Sequence, residues 1–117
     1  MPTIAKNNDV VTVIIIFAVE PERQQELVDT IVEFVESAVK HQPGFVSSSI
    51  HKSLDGVRVM NYAQWKSLED YEAFINNSEM QAHGKKLSNF HLLESHIYRT
   101  NGFKASPFQG NFVIIYT

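Results

Sequence analysis

From Val10 to Ala18 the chain reads Val-Val-Thr-Val-Ile-Ile-Ile-Phe-Ala. It is β-branched and apolar at both odd and even positions, the pattern of a short strand buried on two sides. Beyond it, Pro21 and Glu22 suit the first turn of a helix. Leu27, Val28, Ile31, Val32, Val35, Ala38 and Val39 then recur at helical spacing. Gln42-Pro43-Gly44 stops that helix. Phe45 to Ser53 predicts a second strand with a polar Ser47-Ser48-Ser49 middle, and Asp55-Gly56 is a hairpin signal leading into a third strand, Val57 to Lys66. Ser67 with Asp70, and Ser78 with Gln81, have the spacing of helix caps, so two short helices separated by Asn76-Asn77 are expected. Phe90 to Thr100 alternates as a fourth strand, with Phe90, Leu92, His96 and Tyr98 on a shared face. The predicted order is βαββαβ, followed by a loop over residues 101–110 and a short terminal strand from Asn111 to Tyr116.

Split βαβ units put both helices on one face of a four-stranded antiparallel sheet, which makes the expected class α+β and ferredoxin-like with an extra C-terminal strand. The opposite face then needs a cover, because a first strand apolar on both sides would otherwise expose a large greasy patch. Two sheets packed face to face supply that cover. A homodimer forming a shared α+β barrel is therefore expected, with a core over residues 10–100 and residues 101–117 as a dimerisation tail within one domain of 117 residues.

Charge and composition narrow the partners. Ten Lys and Arg against 13 Asp and Glu leave a formal charge of −3, a poor start for phosphate-backbone binding, so no nucleic acid partner is expected. Seven of the acids against three bases fall in residues 1–40, mostly on the outer face of the first helix, where solvated charge is the ordinary reading. The chain has no cysteine, which removes thiolate chemistry and Cys-based metal sites. The N-terminal nine residues lack an apolar signal region, and Val10 to Val19 is too short to span a bilayer; no membrane association and a cytoplasmic location are the expectations.

Catalytic signatures of the common classes are missing. The glycines at 44, 56, 84, 102 and 110 form no nucleotide-binding motif, and the histidines at 41, 51, 83, 91 and 96 lack metal-ligand spacing, His91 and His96 being expected to face opposite ways on their strand. No metal and no bound cofactor are expected. The third strand stands out instead. Asn61, Ala63 and Trp65 share a face with Val57 and Val59, so an amide and an indole about 13 Å apart project from an otherwise apolar surface. Each could simply fill core or bond nearby backbone, the commoner fate of such residues. Tyr71 follows with Leu68, Phe74 and Ile75 at core spacing. His83, three after Met80 and four before Leu87, is expected on the buried stripe of the last short helix, where imidazole, a group that exchanges protons near neutral pH, is a candidate base.

The run Asn61-Tyr62-Ala63-Gln64-Trp65, followed by Ser67-Leu68-Glu69-Asp70-Tyr71-Glu72-Ala73-Phe74 and by Ser78 to His83, resembles the antibiotic biosynthesis monooxygenase family of dimeric α+β barrels. The resemblance covers about residues 10–100. In the family's cofactor-independent branch, anthrone or hydroquinone substrates react with dioxygen and become quinones. By that likeness Asn61, Trp65 and Tyr71 match substrate-binding positions, and Phe74 lies beside them. The branch's arginine falls near Lys85 or Lys86 and is not cleanly reproduced. A haem-degrading branch uses an Asn on the first strand and a helical Trp; here the first strand has no Asn and the Trp position falls near Phe74, although His83 matches the iron ligand.

The resemblance thus implies a cofactor-free monooxygenase acting with dioxygen on an electron-rich aromatic or quinol-type small molecule, with Asn61, Trp65, Tyr71 and Phe74 forming the substrate site; Asn61, Trp65 and, as the candidate base read from its helix position, His83 are the expected catalytic residues. A non-enzymatic, ligand-binding dimeric barrel is the alternative, and haem degradation a less favoured one. Taken together, four polar side chains at packing positions predict one cavity, because an unpaired buried polar group costs about 1–3 kcal/mol.

Overall fold

The computed structural model describes residues 9–99. Strand β1 (Val11–Ala18) leads through a 3-10 turn, Pro21–Arg23, into helix α1 (Gln24–Ser37). A second 3-10 turn, Val39–His41, precedes β2 (Phe45–Lys52) and β3 (Arg58–Trp65). Helices α2 (Leu68–Ile75) and α3 (Ser78–His83), a 3-10 turn over Lys85–Asn89 and β4 (His91–Arg99) complete the βαββαβ order. The strands form one antiparallel sheet in the order β2-β3-β1-β4. This is the ferredoxin-like α+β arrangement the periodicity predicts. The expected strand at Asn111 to Tyr116 lies outside the described residues. Among the described residues no helix is long and apolar enough to cross a membrane.

Local chemistry explains the corners. At the hairpin, Gly56 adopts φ +85°, and Asp55 accepts hydrogen bonds from the Ser53 hydroxyl at 2.7 Å and the Val57 amide at 3.2 Å. The Gln24 side-chain amide donates to the carbonyls of Ser53 and Arg58 at 3.0 and 2.9 Å, tying the start of α1 to the same turn. Gly44 is the other residue at φ +85°, and a Cβ there would lie 2.3 Å from the Asp70 carboxylate. Only glycine lets the entry to β2 approach the first turn of α2 so closely. Ser67 caps α2 as expected, accepting from the Asp70 amide at 3.1 Å. The next cap differs from expectation by one residue: Asn77, not Ser78, accepts from the Glu79 and Met80 amides, because its amide oxygen reaches both orphan donors.

The core lies between the helices and one face of the sheet. Val11, Val13 and Phe17 of β1, Val59, Ala63 and Trp65 of β3, and Leu27 and Ile31 of α1 are buried there. On β1 the even positions, Thr12, Ile14, Ile16 and Ala18, face the other way and are half-buried. At one edge of the sheet β4 is exposed along all nine residues.

A bulge corrects the expected faces of β4. Ile16 pairs with Glu94 but Phe17 pairs with Leu92, so Leu93 is an extra residue that inverts the alternation. Leu92 therefore sits on the helix side with Phe17, while His96 and Tyr98 lie on the opposite side with Ile14 and Thr12. The same insertion puts His91, opposite Ala18, on the side of His96, where uninterrupted alternation predicts opposite faces.

Candidate functional site

A cavity of about 100 Å³ sits between the sheet and the helices. β3 supplies Asn61, Ala63 and Trp65 to its floor, β2 supplies Phe45 and Ser48, and α1 and α2 close it with Phe34, Val35, Tyr71 and Phe74. The alternation of β3 aims Asn61 and Trp65 at the helices, as the sequence predicts. Trp65 is the centre of an aromatic cluster: Phe74 stacks on it at 4.9 Å, and Phe45 and Tyr71 meet it edge-on at 5.5 and 5.7 Å. Trp65 is 1% exposed and Tyr71 8%.

Polar groups are few, and their bonding is unequal. The Ser48 hydroxyl donates to Asn61 Oδ1 at 2.6 Å. This bond fixes the amide so that its Nδ2 end is the one left to donate. Among the described residues, Asn61 Nδ2, Trp65 Nε1 and Tyr71 Oη have no hydrogen-bond partner, and none of them is completely buried. Asn61, Trp65 and Tyr71 thus line an aromatic cavity, and each carries a donor whose hydrogen is unspent. Burial pushes the Tyr71 phenol above its ordinary value, so near neutral pH it keeps its proton and acts as a donor. No Asp, Glu, His, Lys or Arg lines the cavity among the described residues. It can therefore hold an anion or a carbonyl oxygen better than it can extract a proton.

Asn61, Trp65, Tyr71 and Phe74 are brought together as expected. His83 is not with them. It is exposed and lines a separate surface hollow with Thr30, Glu33, Ser37, Gly84 and Lys86. The expectation of a buried stripe from Met80 through His83 to Leu87 fails because α3 ends at His83 and the chain tightens into a 3-10 turn, which breaks the 3.6-residue phase. Of the three, Met80 alone is buried. Ser48 is the site residue that sequence reasoning passed over. The Ser47-Ser48-Ser49 run was visible, but β2 has a register shift between Phe45 and Ser47, and only the resulting pairing sets Ser48 opposite Ala63, on the cavity side.

Comparison with known proteins agrees with this architecture. The family model described as antibiotic biosynthesis monooxygenase matches residues 10–86. Over 83 residues the chain is 43% identical to the tetracenomycin-F1 monooxygenase of Streptomyces glaucescens, covering 71% of this chain and 74% of that one. A solved monooxygenase from the gene ActVA-Orf6 of Streptomyces coelicolor, in complex with nanaomycin D, is similar at 27% identity and TM-score 0.70, covering 86% of this chain and 94% of that one. The fold is also shared with SnoaB, a cofactor-independent oxygenase from Streptomyces nogalater, at TM-score 0.64 and 20% identity over 86% of this chain and 99% of that one. With its Asn61-to-Phe74 segment inside the matched region and a relative 43% identical across most of the folded core, the chain belongs to the antibiotic biosynthesis monooxygenase family.

Proposed function

We propose that the protein is a cofactor-independent monooxygenase that oxidises an electron-rich hydroxylated aromatic or hydroquinone-type small molecule with dioxygen. The observation that carries this reading is the set of three unspent donors, Asn61 Nδ2, Trp65 Nε1 and Tyr71 Oη, in a cavity otherwise walled by aromatic and aliphatic side chains. The names of the relatives, a tetracenomycin-F1 monooxygenase and a cofactor-independent oxygenase, support the same chemistry.

In such a site the substrate's phenolic or keto oxygen takes hydrogen bonds from Asn61 and Trp65, and its ring stacks among Trp65, Tyr71 and Phe74. Donors preorganised in a low-polarity cavity stabilise the substrate anion far more than water does. That anion gives one electron to dioxygen. The resulting radical pair joins through a new C–O bond, and cleavage of the O–O bond then releases water. For an anthrone-type methylene the balance is one CH₂ and one O₂ giving one C=O and one H₂O. The substrate itself is the reductant. Tyr71, protonated, serves as a third donor. His83, exposed in the neighbouring hollow across the Phe34 and Leu87 wall, takes the released proton through water.

The half-buried far side of β1 and β3, with Ile14, Ile16, Met60 and Tyr62, supports a homodimer in which a second sheet covers that face. Oxygen consumption with anthrone and hydroquinone substrates tests the activity, for wild type and for Asn61→Ala. Uptake that needs Asn61 supports the oxygenase. Saturable binding without uptake for any substrate replaces it with the ligand-binding reading.

A further inference from the structure

The cavity is too small for what the reading above would place in it. At about 100 Å³ it holds a single ring, whereas pockets for drug-sized ligands run to roughly 300–1,000 Å³. Next to it is the hollow of about 260 Å³ between α1 and the end of α3, lined by Thr30, Glu33, Ser37, His83 and Lys86. Two side chains, Phe34 and Leu87, line both spaces. They are the wall between them.

We propose that Phe34 is the specificity-determining partition of a two-chamber site. The inner, apolar chamber takes the hydroxylated ring that reacts, and the outer, polar chamber takes the remaining rings of a polycyclic substrate with their oxygen substituents, once the Phe34 ring swings aside. This rests on the oxygenase reading for the identity of the reacting ring, but the partition itself is a statement about binding.

Phe34 is only partly buried, at the edge of the core cluster it packs against. It meets Phe74 only in a loose tilted contact at 6.2 Å, and it presses on Gly84, where a Cβ would lie 2.9 Å from its Cζ. Leu87 stands on the 3-10 turn Lys85–Asn89, a short element outside the sheet. The wall on the other side is different. There Val35, Phe45 and Ser48 separate the cavity from a hollow of about 360 Å³ beside β2. Phe45 and Ser48 belong to a hydrogen-bonded strand, with Phe45 packed edge-on against Trp65 and Ser48 bonded to Asn61. Opening there would break the sheet's pairing and the positioned amide together. The chemistry of the outer chamber also fits an oxygenated arm, since the Thr30 and Ser37 hydroxyls, which donate to the Glu26 and Glu33 carbonyls, keep lone pairs for a substrate hydroxyl, and Lys86, 3.8 Å from Glu33, offers an exposed ammonium.

Gly84 controls the partition from behind. Its φ is an ordinary −87°, so alanine suits its backbone, but the added methyl must push the Phe34 ring away from the hollow and into the cavity.

Trp65, the single tryptophan, reports on occupancy of the inner chamber, so binding is read by quenching of its fluorescence without any turnover. The probes are resorcinol, with one ring, and 1,8-dihydroxyanthraquinone, with three. Phe34→Ala is expected to tighten binding of the three-ring probe by about tenfold relative to resorcinol, because displacing the ring no longer costs free energy. Phe34→Leu, a milder change to packing, should move the ratio the same way by a smaller factor. Gly84→Ala should weaken the three-ring probe by about tenfold while thermal stability holds. Unchanged probe ratios in all three variants overturn the proposal, as does a larger shift from Val35→Ala, which would put the opening beside β2. Absence of oxygen uptake by the wild-type protein with these ratios still shifted would defeat the oxygenase reading and leave the partition standing.

Discussion

The helix face of the sheet is the more apolar of the two, and the faces treat their polar atoms in opposite ways. On the far face, polar groups pair with one another: Gln64 donates to Thr12 at 3.3 Å, Ser49 meets His51 at 2.8 Å, and Glu94 meets His96 at 3.1 Å. On the helix face one such pair, Ser48 with Asn61, consumes an acceptor and leaves the donors of Asn61, Trp65 and Tyr71 unspent. Polar pairs on a half-exposed surface are already satisfied and gain little from a further partner. Unspent donors in an aromatic cavity are the reverse. They gain most when a ligand oxygen arrives, because no water-rich surroundings compete for them.

The sharpest way to break this contrast is to remove a donor from the helix face. Asn61→Ala and Trp65→Phe are each expected to lower kcat for oxygen uptake by about 10²-fold or more, the scale of losing one preorganised donor to a developing anion. Steady-state oxygen-electrode kinetics check it; a change in KM alone would mean the donors merely bind.

The far face should respond in assembly and not in chemistry. Ile14→Lys, which places a charge beside Met60 and Tyr62, is expected to shift the protein from dimer to monomer at micromolar concentration in sedimentation. A dimer that persists would place the interface elsewhere.

His83 stands outside both faces, and its variant separates a proton acceptor from a packing residue. His83→Ala should lower kcat by about tenfold near neutral pH and recover as pH rises and solvent base takes over. A pH-independent loss would refute the relay.

The smallest effect concerns Tyr71. Its phenol is raised by burial above the unfolded value, so the neutral form is favoured in the fold. The stability this contributes is fully present below the unfolded phenol value near 10 and is lost as pH rises through the folded one. Tyr71→Phe should therefore flatten the alkaline limb of a melting-temperature profile above about pH 10, by a few degrees at most.

Much of this was legible in the sequence because it depends on local chemistry. The β-branched run of β1, the Asp55-Gly56 turn, the Ser67 cap and the alternation that sets Asn61 and Trp65 on one face each follow from residues within a few positions of one another. Resemblance carried the reading from fold to substrate site, again through a contiguous segment, Asn61 to Phe74.

What the sequence could not supply were the places where the period breaks. The bulge at Leu93 turned Leu92 away from His96 and Tyr98, the shift between Phe45 and Ser47 brought Ser48 to Asn61, and the 3-10 turn after His83 took that histidine out of the buried stripe. Each is a one-residue change of phase whose cost is met by pairing and packing across the chain, so no local pattern announces it. The sequence by itself determined the element order and which strand bears the donors; tertiary structure alone decided which donors stay unspent and which ring, Phe34, stands between the cavity and the hollow. Hydrogen-bond satisfaction and cavity walls are set by partners distant in the chain, and periodicity carries no information about them.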